Sequence, residues 1–312
     1  MDGALVIDKP AGISSHDVVA RVRKIIGERR VGHTGTLDPF ATGVLVVLVG
    51  KATRLMQFLS GAEKEYKAVI RLGYATDSGD LTGAPVEQTF STEKQKLAEI
   101  HKAEIEKAMS PLRGEIDQTP PMYSAKKVKG RKLYELARRG EAIERAPVPV
   151  TISAFEAIER DGKLLRENEE GTRDLTVRVA SSAGTYIRTL AEDFGKQLGL
   201  GAHLAELRRT RAGSFKITEA NTLEQLSELA ESGSLARAFL SPDATLAYLP
   251  SLDLSAGDVR RVINGLNLQV DQTGWSTGQA VRLRDASGAL TAVGIYDEAL
   301  RLVHPQVVLA TE

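Results

Sequence analysis

The sequence predicts an α+β fold, on three observations. Val44 to Val49 is an unbroken apolar hexad with the length and β-branched content of a fully buried strand, and Tyr66, Ala68, Ile70 and Leu72 alternate with Lys67, Val69 and Arg71. Two helical stripes stand beside them: Val18, Val19, Val22, Ile25 and Ile26, then Ile187, Leu190, Ala191, Phe194 and Leu198. After a change of composition near Ser241-Pro242, compact strands close the chain. Its 312 residues suffice for one large domain plus a small one, and 42% hydrophobic content suits a sizeable core.

Composition removes several function classes. There is no cysteine, which excludes disulfides and thiolate metal ligands and fits a reducing compartment. Met1 to Pro10 has no basic stretch leading into a long apolar run, and no apolar segment approaches ~18 residues, so neither a signal peptide nor a membrane span is expected and a cytoplasmic location is. His16, His33, His101, His203 and His304 form no HExxH-type pattern, so no metal is expected. Lys+Arg and Asp+Glu are both 41, so any sign of nucleic acid must come from local clustering.

In chain order, Ala4 to Asp8 reads as a short buried strand that ends in a turn at Lys9-Pro10-Ala11-Gly12, and Ser14 or Ser15 caps the first helix. The outer face of that helix and its exit are basic, with Arg21, Arg23, Lys24, Arg29 and Arg30 against Glu28; such a run suits a solvated surface or a phosphate backbone. Gly32 to Gly43 has three glycines, a proline and three threonines in twelve residues, so it is a shaped loop, anchored to the hexad and carrying Asp38 at its tip. By residue type alone Asp38 fits a turn former. A nucleotide-binding reading fails because Leu45 and Ala52 stand where a phosphate loop needs Gly and Ser or Thr.

Ala52, Leu55, Met56 and Leu59 have helical spacing closed by Gly61, and the strand with Tyr66 follows, where a core tyrosine is the plain reading. Thr76 to Asp80 is a polar loop. Thr92 with Gln95 caps a helix through Leu97, Ile100, Ile105 and Ala108, ended by Pro111. From Gln118 to Pro149 eight Lys or Arg (Lys126, Lys127, Lys129, Arg131, Lys132, Arg138, Arg139, Arg145) face three acids (Glu135, Glu141, Glu144), a local net of +5. With Tyr123 and Tyr134 interleaved, that segment suits an RNA grip; Leu133, Leu136 and Ala137 also suit an ordinary surface helix.

Val148 to Ile158 and Leu175 to Val179 read as strands separated by a charged hairpin. Tyr186 and Arg188 fall off the stripe in the first turn of the next helix, where an arginine opposes the helix dipole and calls for a carboxylate or phosphate partner. Leu249-Pro250-Ser251 suggests a linker; Ser255 and Asp258 then frame a short helix ending at Gly265, followed by strands at Ala280 to Leu283, Leu290 to Tyr296 and Leu302 to Leu309.

The string Gly32-His33-Thr34-Gly35-Thr36-Leu37-Asp38-Pro39-Phe40-Ala41-Thr42-Gly43 resembles the catalytic motif of the TruB family of tRNA pseudouridine-55 synthases. Lys9-Pro10-x-Gly12 with Ser14, Ser181 to Leu190, and Leu207 to Arg211 resemble further elements of that family, so the likeness spans nearly the whole chain. It implies a catalytic domain at 1–248, a mixed, largely antiparallel sheet of pseudouridine-synthase type with flanking helices and a basic thumb insertion at about 118–149. A small β-barrel-like PUA domain, an RNA-binding module, is implied at 249–312. The implied activity is isomerisation of uridine 55 in the TΨC loop of tRNA, with the nucleotide flipped out of its stack. In the resemblance Asp38 is the catalytic carboxylate and Arg188 its partner. Tyr66 stacks on the base, His33 holds the flipped-out conformation, and Tyr186 and Leu207 complete the pocket. Lys126, Lys127, Lys129, Arg131, Arg208 and Arg209 are expected on the RNA backbone. The expected partner is the TΨC stem-loop of tRNA, with no membrane and no cofactor, and no protein partner is implied.

Making pseudouridine breaks the N1 to C1′ bond, turns the base and rejoins it through C5, with no redox or phosphoryl step. That needs one ionised carboxylate, a partner that keeps it ionised, and a pocket that excludes water. Pairing with Arg188 is expected to lower the Asp38 pKa. Attack at C1′, addition at C6 and elimination to a glycal are all open to a carboxylate so placed. The competing reading is a non-catalytic tRNA-binding or folding module.

Overall fold

The computed structural model describes residues 1–310 apart from 87–96, 98–99, 125–126, 129, 134–135, 137–140, 142, 169–170 and 272–273. Its centre is a mixed ten-stranded sheet. β1 (Gly3–Lys9) runs antiparallel to β3 (Thr42–Val49), whose lower half also pairs with β2 (Val31–His33). β4 (Lys64–Leu72), β5 (Gly114–Gln118), β8 (Val148–Ala157) and β10 (Arg173–Ser181) continue the sheet, all antiparallel, in the order β4-β10-β8-β5. β11 (Ala202–Ala212) joins the halves: it is antiparallel to β4 and meets β3 in a parallel junction, Arg208 opposite Thr42 and Arg209 opposite Gly43. β9 (Leu165–Glu167) and β12 (Phe215–Lys216) lie at its margins, and β6 (Lys127–Val128) with β7 (Arg131–Lys132) makes a separate ribbon.

The hexad has no polar position because both faces of β3 are covered. Val44, Val46 and Leu48 pack with Leu55, Leu59 and Phe215, while Leu45, Val47 and Val49 meet Val18, Val19 and Val22 of the helix Ser15–Ile26. Tyr66, Ala68, Ile70 and Leu72 of β4 face a third cluster with Leu175, Val177, Leu190 and Phe194, which seats the helix Ile187–Leu198 on the sheet. That helix and the turn after β2 end up on the same side, and this places the site.

Several expected elements differ. The helix drawn from Thr92 through Ala108 is broken: Leu97 is helical, Ile100 is not, and a separate helix runs Lys102–Met109, where His101 is extended and its amide donates to Glu104 Oε2 at 2.9 Å, a fresh helix start. Thr92 and Gln95 lie outside the described residues. The spacing at 52–59 makes a 3-10 stretch, Gly50–Leu55, and one α turn, Met56–Leu59. The charged hairpin contributes β9 to the sheet.

The C-terminal strands form a second sheet. β13 (Ser251–Asp253), β14 (Leu268–Gln269), β15 (Ala280–Arg284), β16 (Leu290–Asp297) and β17 (Leu302–Val308) lie in the order β13-β15-β16-β17-β14. One face encloses Leu254, Val262, Val281, Leu283, Tyr296 and Val303. The other sends Leu290, Val293, Val307 and Leu309 into the cluster around β3. The expected linker is therefore packed: Leu246 is fully buried, Asp243 accepts from Arg282 at 2.8 Å, and the Leu249 carbonyl accepts from the same arginine at 3.0 Å. No helix among the described residues is long and apolar enough to cross a membrane.

Candidate active site

The loop between β2 and β3 is held by its carbonyls. Lys9, wholly buried, donates through Nζ to the carbonyls of Ala41 at 2.7 Å, Pro39 at 3.2 Å and Pro10 at 2.9 Å. Ser14 caps the first helix, which frees Ser15: its Oγ accepts from the Leu37 amide at 2.8 Å and donates to the Leu37 carbonyl at 3.1 Å. Gly12 donates to the Pro39 carbonyl at 2.8 Å. From the other side Arg209 donates Nη2 to the Gly35 carbonyl at 3.0 Å and Nε to the Val44 carbonyl at 2.7 Å. Gly43 closes the loop at φ +100, and a Cβ there would lie 2.2 Å from the Arg209 carbonyl oxygen, so the parallel passage of β11 excludes every other residue. Asp38 is thus presented on a turn that has no freedom to retract.

Arg188 meets it from 150 positions away. The guanidinium touches both Asp38 oxygens, Nε to Oδ2 at 2.9 Å and Nη2 to Oδ1 at 3.3 Å, the geometry of an ionised carboxylate. It also donates to the carbonyls of Ser78 at 2.7 Å and Tyr123 at 2.6 Å and lies 3.7 Å from Asp80 Oδ2. Asp80 is itself tied down, accepting from the Thr82 amide at 2.9 Å, Thr82 Oγ1 at 2.6 Å and Ser78 Oγ at 2.9 Å. Arg188 stays where it is because Gln118, 1% exposed, clamps the backbone two residues earlier: Oε1 accepts from the Tyr186 amide at 2.7 Å and Nε2 donates to its carbonyl at 3.0 Å.

Burial pushes the Asp38 carboxyl up from its ordinary value; Arg188 opposes that and Asp80 reinforces it. The pairing with Arg188 lowers it, as expected, while the net shift is upward. The guanidinium does favour the charged form, but loss of water at the loop tip outweighs it. Lys9 is lowered to about 8, chiefly by burial, with Asp38 pulling the other way.

A cavity of about 270 Å³ opens over the pair, lined by Leu37, Asp38, Lys64, Tyr66, Tyr186, Arg188, Leu207 and Arg209 among others. That lies just below the ~300–1,000 Å³ range of ligand pockets, so the cavity suits a ligand no larger than a single nucleoside. Asp38, Tyr66, Tyr186, Arg188 and Leu207 are therefore brought together. His33 is not on this wall: it sits edge-on to His16 at 5.4 Å, with Nδ1 buried and unpartnered and burial holding its imidazole at about 4, hence neutral. Arg208 is paired with Asp8 at 2.7 Å and 3.0 Å. Arg209 is 2% exposed, braces the loop and lines the cavity, so any RNA backbone it meets must enter there. Arg131 is exposed, 3.4 Å from Glu141. Lys126 and Lys129, with Tyr134, Arg138 and Arg139, lie outside the described residues, as does the side chain of Lys127. Lys9, Ser15 and Gln118 were not expected at the site; a lysine between an apolar strand and a proline was the one available signal.

Residues 23–187 match the family described as TruB family pseudouridylate synthase (N terminal domain), and residues 188–247 match the tRNA pseudouridylate synthase B C-terminal domain. The chain belongs to the TruB family of pseudouridylate synthases. It is similar over its full length to the tRNA pseudouridine synthase B of Chromohalobacter salexigens, 40% identical over 315 residues that cover 100% of this chain and 97% of that protein. The Thermobifida fusca protein of the same name is 45% identical over 265 residues, 85% of each chain. A solved Cbf5-Nop10-Gar1 complex contains a chain of similar fold, with a TM-score of 0.74 and 29% identity over 99% of this chain and 85% of that one. As a TruB-family member the chain is an isomerase that turns uridine into pseudouridine.

Proposed function

We propose that the substrate is tRNA, that the target is uridine 55 of the TΨC loop, and that Asp38 is the carboxylate that breaks and remakes the glycosidic bond. The observation that carries this reading is the Asp38–Arg188 pair, closed at 2.9 Å on the wall of a nucleoside-sized cavity. The relatives' names supply the substrate class. In this reading the uridine leaves its stack, its base lies against the Tyr66 ring between Tyr186 and Leu207, and the base stays enclosed while N1 is released and C5 joined. Arg188 keeps the carboxylate ionised and immobile, so Asp38 acts with little reorganisation. The residues 118–149 grip the RNA as a thumb. The second sheet, within 249–312, serves as a PUA-like RNA-binding domain docked on the catalytic domain at 1–248.

The test is to incubate unmodified tRNA with the protein and map pseudouridine by mass and by reverse transcription. Pseudouridine at position 55 alone is expected. Modification elsewhere would refute the assigned target, and tRNA bound but recovered unchanged would favour the non-catalytic module.

A further inference from the structure

The reaction as described uses the Asp38 end of the cavity. The same cavity holds two cations that it leaves idle. Lys64, the first residue of β4, is 8% exposed, donates to the Ser60 carbonyl at 2.6 Å and has no carboxylate partner among the described residues. Its charged neighbour is another cation, Arg209, and burial beside it lowers the Lys64 ammonium to about 8. Arg209 commits Nε and Nη2 to loop carbonyls, while Nη1 makes no protein hydrogen bond among the described residues. Gly35 lies between the two: a Cβ built on it would be 3.7 Å from Arg209 Nη1 and 3.8 Å from Lys64 Cε. All three line the cavity that Asp38 lines. Two buried cations with no acid between them destabilise the empty fold, and an entering anion relieves that cost.

We propose that Lys64 Nζ and Arg209 Nη1 form a phosphodiester subsite beside Gly35, which takes a phosphate flanking the flipped-out uridine and sets its depth against Asp38. It rests on the reading of this cavity as a uridine pocket. Phosphodiesters are the anions an RNA strand brings, and Gly35 leaves open the space beside Arg209 Nη1 and the end of the Lys64 side chain. The arrangement divides the work of the pocket. One end anchors the backbone and the other acts on the glycosidic bond.

The test uses T-arm stem-loop RNAs whose phosphate 5′ or 3′ of the target uridine is replaced by a neutral methylphosphonate, with the wild-type protein, Lys64→Gln and Lys64→Arg. One neutral linkage should raise the wild-type KM ~10-fold with kcat within ~2-fold, a result that needs no folded variant. Lys64→Gln should raise KM similarly on natural RNA and add nothing on that neutral RNA, while Lys64→Arg should keep most of the affinity. Pseudouridine formation in which neither neutral linkage moves KM, or in which the variant and linkage losses multiply, would overturn the subsite alone. No pseudouridine from the wild-type protein on natural RNA would overturn the uridine pocket and the subsite with it.

Discussion

Arg188 and Lys64 face one cavity and are nearly equally hidden, 4% and 8% exposed, yet their surroundings are opposite. Arg188 is saturated: a bidentate carboxylate, two backbone carbonyls and a second carboxylate at 3.7 Å occupy its fork. Lys64 has one carbonyl and a neighbouring cation. The difference separates two uses of buried charge. A charge enclosed by acceptors holds another group in place, whereas one left short of acceptors is available to an incoming ligand.

If that contrast is sound, substitutions at the Asp38 end should change the chemical step and those at the Lys64 end the binding step. Asp38→Asn should have the largest effect, a loss of ~10⁴-fold or more in kcat, read by single-turnover pseudouridine formation. Arg188→Gln should follow, at ~10²–10³-fold in kcat and a destabilisation of ~1–3 kcal/mol in urea unfolding, because the Ser78 and Tyr123 carbonyls and the half-buried Asp38 lose their donor. It should also move the acid limb of kcat/KM. The active form is the ionised carboxylate, so activity falls as pH drops through the Asp38 pKa. In the wild type that limb lies above the ordinary aspartate value, and removing Arg188, which opposes the rise, should carry it higher still. An acid limb that moved downward would contradict this.

Deleting 249–312 should cost several kcal/mol of stability, since Leu290, Val293, Val307 and Leu309 leave the cluster around β3, each worth ~1.5–3 kcal/mol. The family likeness implies an RNA-binding module at 249–312, so tRNA affinity should fall with it; the packed junction makes unfolding, followed by circular dichroism, the first readout. Lys9→Met should cost ~2–4 kcal/mol by removing the donor shared by the Pro10, Pro39 and Ala41 carbonyls, of which Pro39 keeps the Gly12 amide. Its pH signature has a definite sign. The folded Lys9 pKa is lowered from 10.5 to about 8, so the unfolded chain binds more protons between those values and wild-type stability gains a contribution that rises with pH across that window. The variant should lack that rise.

What was legible in the sequence follows period and composition. The unbroken hexad at Val44 to Val49, the alternation from Tyr66 and the stripe from Ile187 each state their environment locally, and each became the expected strand or helix. Gly32 to Gly43 declared itself a shaped loop, but its pairing with Arg188 came through the family likeness, because no local pattern links residues 150 positions apart. The bracing side chains were illegible for the same reason. Lys9, Gln118 and Arg209 look like surface residues by type, and only the tertiary arrangement buries them against carbonyls. Basic character pointed to RNA at Arg208 and Arg209; Arg208 is paired with Asp8, while Arg209 gives Nε and Nη2 to loop carbonyls and lines the cavity.

The most direct measurement is single-turnover kinetics with enzyme in excess over tRNA, recording the bound fraction and the pseudouridine formed for Asp38→Asn and Lys64→Gln side by side. The account predicts that Asp38→Asn holds its tRNA and leaves the uridine unconverted, while Lys64→Gln binds more weakly and converts what it binds at the wild-type rate. Conversion by Asp38→Asn above ~1% of the wild-type rate, or a Lys64→Gln defect confined to the chemical step, would contradict it.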